Sequence, residues 1–175
     1  MKNKVLVIGG SGFLGSHVAD ELIKKNYKVT IIDIKHQKNM DKKIKFVKVN
    51  NRGISLISKE IKKSNIIYYF ADIADIRFAK DNYMKTINNN ILNLTEILDS
   101  CKKSKIDNFI YASSLYVYSE AGSFYRASKQ CAEILVKEFS RIGNFNYKFL
   151  RFGSLYGENA QSWNGISQFI DQINK

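Results

Sequence analysis

Short apolar runs alternating with longer segments of helical period predict an α/β fold, a doubly wound parallel sheet with helices on both faces. Three observations carry the prediction. The runs at Lys4–Ile8 and Asn108–Ala112 are short and apolar along nearly their whole length, as in strands covered on both faces. The segments between them place apolar residues three and four apart, the spacing of one helix face. Crossovers between parallel strands are right-handed, which winds the helices onto both sides of the sheet.

The elements follow in order. Lys4–Ile8 is the first strand. Phe13–Lys25 is a helix with Leu14, Val18, Leu22 and Ile23 along one face. Lys28–Asp33 and Ile44–Val49 are the second and third strands, and Ile54–Lys63 is a short helix. Asn65–Phe70 is the fourth strand, followed by a long helix, Tyr83–Lys103, with Ile87, Ile91, Leu94 and Leu98 on one side. Asn108–Ala112 is the fifth strand, Tyr125–Arg141 a helix and Asn146–Arg151 the sixth strand. A helical pattern runs from about Ser162 to Asn174. No internal repeat, low-complexity tract or linker divides the chain, so residues 1–175 read as one domain.

The turn between the first strand and the first helix reads Gly9-Gly10-Ser11-Gly12-Phe13-Leu14-Gly15. Gly9 permits the tight turn, Gly12 lets the backbone approach a pyrophosphate, and Gly15 lets helix and strand pack closely. The helix start then offers free N–H groups and a positive dipole end to phosphates. A glycine triplet alone is weak evidence, but this one has the strand before it and the helix after it. Asp33 ends the second strand, about twenty residues beyond the loop, where a carboxylate hydrogen-bonds the ribose hydroxyls of adenosine and repels a 2′-phosphate. The loop and Asp33 together predict NAD in preference to NADP; Lys35 and His36 nearby soften that exclusion.

Tyr125-Arg126-Ala127-Ser128-Lys129 sets a tyrosine and a lysine one turn apart on a helix. A nearby ammonium and the positive nicotinamide ring favour the phenolate, which then takes a proton from a hydroxyl as hydride leaves. The fifth strand runs into Tyr111-Ala112-Ser113-Ser114. Ligands of this fold sit beyond the carboxyl ends of the strands, which places Ser114 to hydrogen-bond the reacting oxygen.

These motifs, in this order, resemble those of the extended short-chain dehydrogenase/reductase family, the NAD-dependent nucleotide-sugar epimerases and dehydratases. The likeness takes in the glycine loop, Asp33, Tyr69-Phe70-Ala71, Asn90 through Glu96 and Ser113-Ser114-Leu115-Tyr116-Val117-Tyr118. It continues through Tyr125 with Lys129 and ends on Leu150-Arg151-Phe152-Gly153-Ser154-Leu155-Tyr156-Gly157. The resemblance implies a nucleotide-sugar substrate, Tyr125 as general base, Lys129 holding the nicotinamide ribose and Ser114 orienting substrate. It also implies that Phe13, Leu14, Asn50 and Ala71 border the cofactor, and that a homodimer forms through the long helices.

Three departures stand out. Asn50 replaces an acidic residue near the adenine, and an amide still accepts from the adenine amine. The segment between Ser114 and Tyr125 is short and lacks proline, which predicts an open site. The smaller half that grips the sugar nucleotide is largely missing, with at most its beginning from about residue 158. This chain alone is therefore expected to bind NAD and to turn over little or no sugar nucleotide.

The formal net charge is +12, but the lysines are scattered through every segment instead of forming a block, as on a solvated surface. No stretch approaches the ~20 apolar residues of a spanning helix, and the opening MKNKVLVIGG lacks the apolar length and cleavage site of a signal peptide. Cys101 and Cys131 fall in predicted helices without metal or redox spacing, consistent with reduced thiols in a cytoplasm. His17 and His36 are the only histidines, so no histidine-cluster metal site is expected.

Among further residues, Arg151 and Tyr156 suit either the pocket or strand-end packing. Asp72 and Asp75 are expected to turn outward or to cap the next segment, since acids disfavour a neighbouring pyrophosphate. Trp163 and Asn164 are candidates for a substrate loop, with packing of the aromatic the plainer reading. Two alternatives to an enzyme are a non-catalytic NAD-binding regulatory module, whose mark is loss of the tyrosine or lysine, and an RNA-binding relative, which requires a basic stripe.

Overall fold

The computed structural model describes residues 3–50, 53–161 and 165–173. Six strands form one parallel sheet in the order β3-β2-β1-β4-β5-β6: β1 Lys4–Ile8, β2 Lys28–Asp33, β3 Lys45–Lys48, β4 Ile66–Tyr69, β5 Asn108–Ser114 and β6 Asn146–Phe152. This is the doubly wound order, with its reversal between β1 and β4.

β1 shows how the sequence builds both faces. Alternate side chains of a strand point to opposite sides. Val5 and Val7 enter one core with Val29 and Ile31 of β2 and with Ala19 and Leu22 of helix α1, Phe13–Lys24. Leu6 and Ile8 enter the other, against Ile61 of α2 (Ile54–Ile61), Leu94 and Leu98 of α5 (Leu94–Lys102), and Ala132 and Val136 of α6 (Ser123–Gly143). Val5 to Ile8 are each at most 4% exposed, which explains the unbroken apolar run.

Two short helices, α3 (Ile76–Asp81) and α4 (Tyr83–Ile87), follow β4. A π-helical stretch, Asn88–Asn93, carries α4 into α5, so the long helix expected over 83–103 is present with a wider turn inside it. The strand and helix expectations hold to within a few residues at each end. Helix α7, Gly165–Ile173, answers the last helical pattern; Ser162, Trp163, Asn164 and Asn174 lie outside the described residues. Among the described residues no helix is long and apolar enough to cross a membrane, and no group of acids, histidines and cysteines is arranged to hold a metal.

Candidate active site

A cleft of about 620 Å³ opens at the carboxyl ends of β1, β4, β5 and β6. The glycine loop with Phe13 and Leu14 lines one part of it, and Ser114, Tyr125 and Lys129 line another. The sheet thus brings together two groups of residues that lie a hundred positions apart in sequence.

The glycine loop is shaped as its sequence requires. Gly9 has φ +79°, and a Cβ there would stand 2.7 Å from the backbone N of Ala71. A Cβ on Gly15 would meet the Gly9 carbonyl oxygen at 2.4 Å, so this glycine sets the contact between α1 and the end of β1. Gly12 differs: the nearest neighbour of a Cβ there would be the Gly9 oxygen at 3.4 Å, an ordinary contact, so no described part of the protein requires its smallness. No described side chain caps the start of α1, so its first amides are open to an anion. The Ser11 hydroxyl is buried without a hydrogen-bond partner among the described residues. A dinucleotide's pyrophosphate fits these features: an open helix start, an unsatisfied hydroxyl and a glycine at the point of approach.

Asp33 closes the loop from the next strand. Its Oδ2 accepts from Ser11 N at 2.9 Å, and its Oδ1 from Ile34 N at 2.7 Å and Lys35 N at 3.3 Å. These bonds fix the carboxylate at the tip of β2. Lys35 therefore approaches Asp33 through its backbone, and the His36 ring packs edge-on against Phe46 with centroids 4.7 Å apart. Asn50 follows β3 on the exposed rim, and its carbonyl accepts from Gly53 N at 2.9 Å. Ala71 lies behind Gly9 and its carbonyl accepts from Asn89 Nδ2 at 2.9 Å.

Tyr125 and Lys129 share the buried face of α6, at 8% and 3% exposure. The Lys129 ammonium lies 5.8 Å from the Tyr125 ring centroid and 4.8 Å from that of Tyr111. Ser114 ends β5, which runs two residues further than expected because Ser113 and Ser114 continue the pairing with Arg151 and Phe152. Ser114 Oγ accepts from Tyr116 N at 3.2 Å and so begins the 3₁₀ turn Leu115–Tyr118. Accepting there leaves the hydroxyl proton available for a ligand oxygen.

The two aspartates after β4 divide. Asp75 caps α3 as expected, accepting from Arg77 N at 2.8 Å and Phe78 N at 3.0 Å. Asp72 does not turn outward. It lines the cleft with its side chain only 4% exposed, and its Oδ2 accepts from Lys129 Nζ at 2.7 Å and from Tyr111 O–H at 2.6 Å. The objection to an acid beside phosphate is met by the lysine, which neutralises the carboxylate and lets it be buried. Burial, and then the Asp72 charge, push the Tyr111 phenol well above the usual tyrosine range, so it stays a donor.

Arg151 is resolved in favour of packing. Its guanidinium grips Glu133 of α6 in bidentate fashion, at 2.8 Å and 2.7 Å, and donates to the Tyr118 hydroxyl. Tyr156 is 66% exposed. His17 is exposed, bonds the Glu158 carbonyl at 2.9 Å and packs edge-on to Phe13. Cys101 is buried in α5 and Cys131 half-buried in α6, and burial raises both thiols. Sequence reasoning missed Asp72 as a site residue. Its signal was an acid directly after a strand that points at the cleft, read there as a liability.

The family model described as the NAD dependent epimerase/dehydratase family matches residues 5–175. A Methanocaldococcus jannaschii protein whose name proposes a UDP-glucose 4-epimerase is 32% identical over 98% of this chain and 63% of its own length. A solved UDP-N-acetylglucosamine 4-epimerase from Methanobrevibacter ruminantium, in complex with UDP-N-acetylmuramic acid, superposes with a TM-score of 0.82 at 27% identity. That match covers 99% of this chain and 64% of the other. A UDP-glucuronic acid 4-epimerase from Bacillus cereus, in complex with UDP-glucuronic acid and NAD, shares the fold with a TM-score of 0.85 at 24% identity, over 98% and 63% of the two chains. The chain thus spans less than two thirds of the length of these relatives.

Proposed function

The chain belongs to the NAD-dependent epimerase/dehydratase family, and from that premise we propose that it binds NAD in the cleft and takes part in oxidising a hydroxyl of a UDP-linked sugar. The observation that carries the reading is the single cleft shared by the glycine loop and by Ser114, Tyr125 and Lys129. Bound NAD supplies the hydride acceptor. The chain's own residues do the rest.

Gly9, Gly12, Gly15 and the start of α1 receive the pyrophosphate, and Asp33 receives the adenosine ribose, with Phe13, Leu14, Asn50 and Ala71 along that edge. Lys129 holds the nicotinamide ribose. Ser114 donates to the reacting oxygen of the sugar, and Tyr125 accepts the proton of its hydroxyl. Oxidation of a hydroxyl opens both epimerisation and dehydration, the two activities in the family's description. Gln161, Gly165 and Ile166 also line the cleft, in keeping with a substrate-binding region beginning near residue 158. The names of the relatives above favour a UDP-sugar. Both catalytic residues are present and face the cleft, which argues against a purely regulatory module.

The test is calorimetric titration with NAD, alongside long incubation with NAD and UDP-glucose, UDP-glucuronic acid or UDP-N-acetylglucosamine and chromatographic detection of products. Tyr125→Phe should keep the NAD affinity of the parent and lose whatever product the parent forms. Product formation by Tyr125→Phe at the parent rate would overturn the role given to Tyr125. Absence of NAD binding by the parent would overturn the whole reading.

A further inference from the structure

We propose that Asp72 is a cofactor-binding residue: paired with Lys129, it forms a two-point receptor for the hydroxyls of the nicotinamide ribose. The proposal rests on the reading of the cleft as an NAD site and adds to it a residue and a division of labour.

An ammonium has three N–H donors and no acceptor. Lys129 Nζ gives one to Asp72 Oδ2 at 2.7 Å and one to the Ala112 carbonyl at 2.5 Å. One donor remains. A ribose bound here presents two hydroxyls, each both donor and acceptor, so Lys129 alone satisfies one of them.

The second point is the other oxygen of Asp72. Oδ2 takes two hydrogen bonds, from Lys129 and Tyr111. Oδ1 is buried and has no hydrogen-bond partner among the described residues. A carboxylate offers about four lone-pair sites, and a buried oxygen with none of them used is costly. Asp72 lines the same cleft as Tyr125 and Lys129. One ribose hydroxyl accepting from Lys129 and its neighbour donating to Asp72 use the remaining donor and the unsatisfied acceptor together. Such a charge-assisted bond is stronger than one between neutral groups.

The carboxylate is also held in place. Asn90, buried in the π-helical stretch, accepts from Ile73 N at 2.8 Å and donates to the Ile73 carbonyl at 3.0 Å and to Ser128 Oγ at 3.1 Å. Asn89 donates to the Ala71 carbonyl at 2.9 Å. The residues on both sides of Asp72 are therefore clamped, and Asn90 bonds them to the helix that carries Lys129. A widened helical turn inserted at a functional site fits this role.

Two measurements test the proposal. The first leaves the protein unaltered and compares the affinity of the parent chain for NAD, for NAD analogues lacking the 2′- or the 3′-hydroxyl of the nicotinamide ribose, and for ADP. Loss of at least one of those hydroxyls should weaken binding about tenfold or more, the scale of one charge-assisted hydrogen bond. The second compares Asp72→Asn with the parent. It should weaken NAD about tenfold, leave ADP binding unchanged, and abolish the discrimination between NAD and the deoxy analogue. Equal affinity of the parent for NAD and both analogues overturns the proposal while leaving the NAD reading intact. So does an Asp72→Asn chain that still discriminates as the parent does, or that loses NAD and ADP equally. A parent chain that binds neither NAD nor ADP overturns the NAD reading, and this proposal with it.

Discussion

Gly15 and Gly9 are in backbone contact: a Cβ on Gly15 would stand 2.4 Å from the Gly9 carbonyl oxygen and 2.8 Å from the Gly10 Cα. Both obstacles are backbone, which gives way only if the loop moves. Gly15→Ala should therefore destabilise the chain by about 2 kcal/mol or more despite alanine's better helix propensity, lowering Tm by roughly 4–8 °C. Gly12→Ala provides the contrast. Its Cβ meets nothing closer than 3.4 Å, so Tm should stay within about 2 °C while NAD affinity falls tenfold or more. Thermal melts and calorimetric titration of the two variants check the pair.

Glu133 and Arg151 join α6 to β6. Burial alone would raise the Glu133 carboxyl, but hydrogen bonds from Arg151 and Ser113 outweigh it and the net shift is downward. A carboxyl that is lower in the folded than in the unfolded chain adds stability above its unfolded value of about 4.3, and that stability is lost as pH falls through the folded value. Glu133→Gln should cost roughly 1–3 kcal/mol at neutral pH, between the values for exposed and buried pairs because Arg151 is a third exposed. The difference from the parent should shrink below about pH 4. Denaturant melts across that range check the sign.

Among the described residues, Asp75 supplies the only side-chain hydrogen bonds to the first amides of α3. Asp75→Ala should cost about 1 kcal/mol, seen as a Tm lower by roughly 2–4 °C. A neutral substitution would show that packing of α3 against α6 suffices without the cap.

Much of this architecture could be read from the sequence because burial on both faces leaves a plain record. Val5–Ile8 is apolar at every position since alternate residues enter different cores. The glycine loop was legible because Gly9 and Gly15 each answer a separate steric demand of the turn and of the helix packed on it. The parts that escaped have local causes. Helix α3 is six residues long, too short for a period to emerge, and only its cap residue Asp75 announced it. β5 extends through Ser113 and Ser114, whose hydroxyls broke the apolar pattern although their backbones stay in the ladder. The π-helical turn carries no periodic signature, because Asn90 earns its place through bonds to Ile73 and Ser128 that lie far apart in sequence. Asp72 was misjudged for the same reason. Its neutralising partner, Lys129, stands 2.7 Å away on α6, and only the fold brings the two together.

The most direct measurement is calorimetric titration of the 175-residue chain with NAD and, separately, with NADP. The Asp33 carboxylate at the tip of β2, proposed above to receive the adenosine ribose, and the open glycine loop predict saturable binding of one NAD per chain, with NADP weaker by tenfold or more because a carboxylate in that role repels a 2′-phosphate. Failure to bind NAD, or NADP binding as tight as NAD, would contradict the assignment of this cleft.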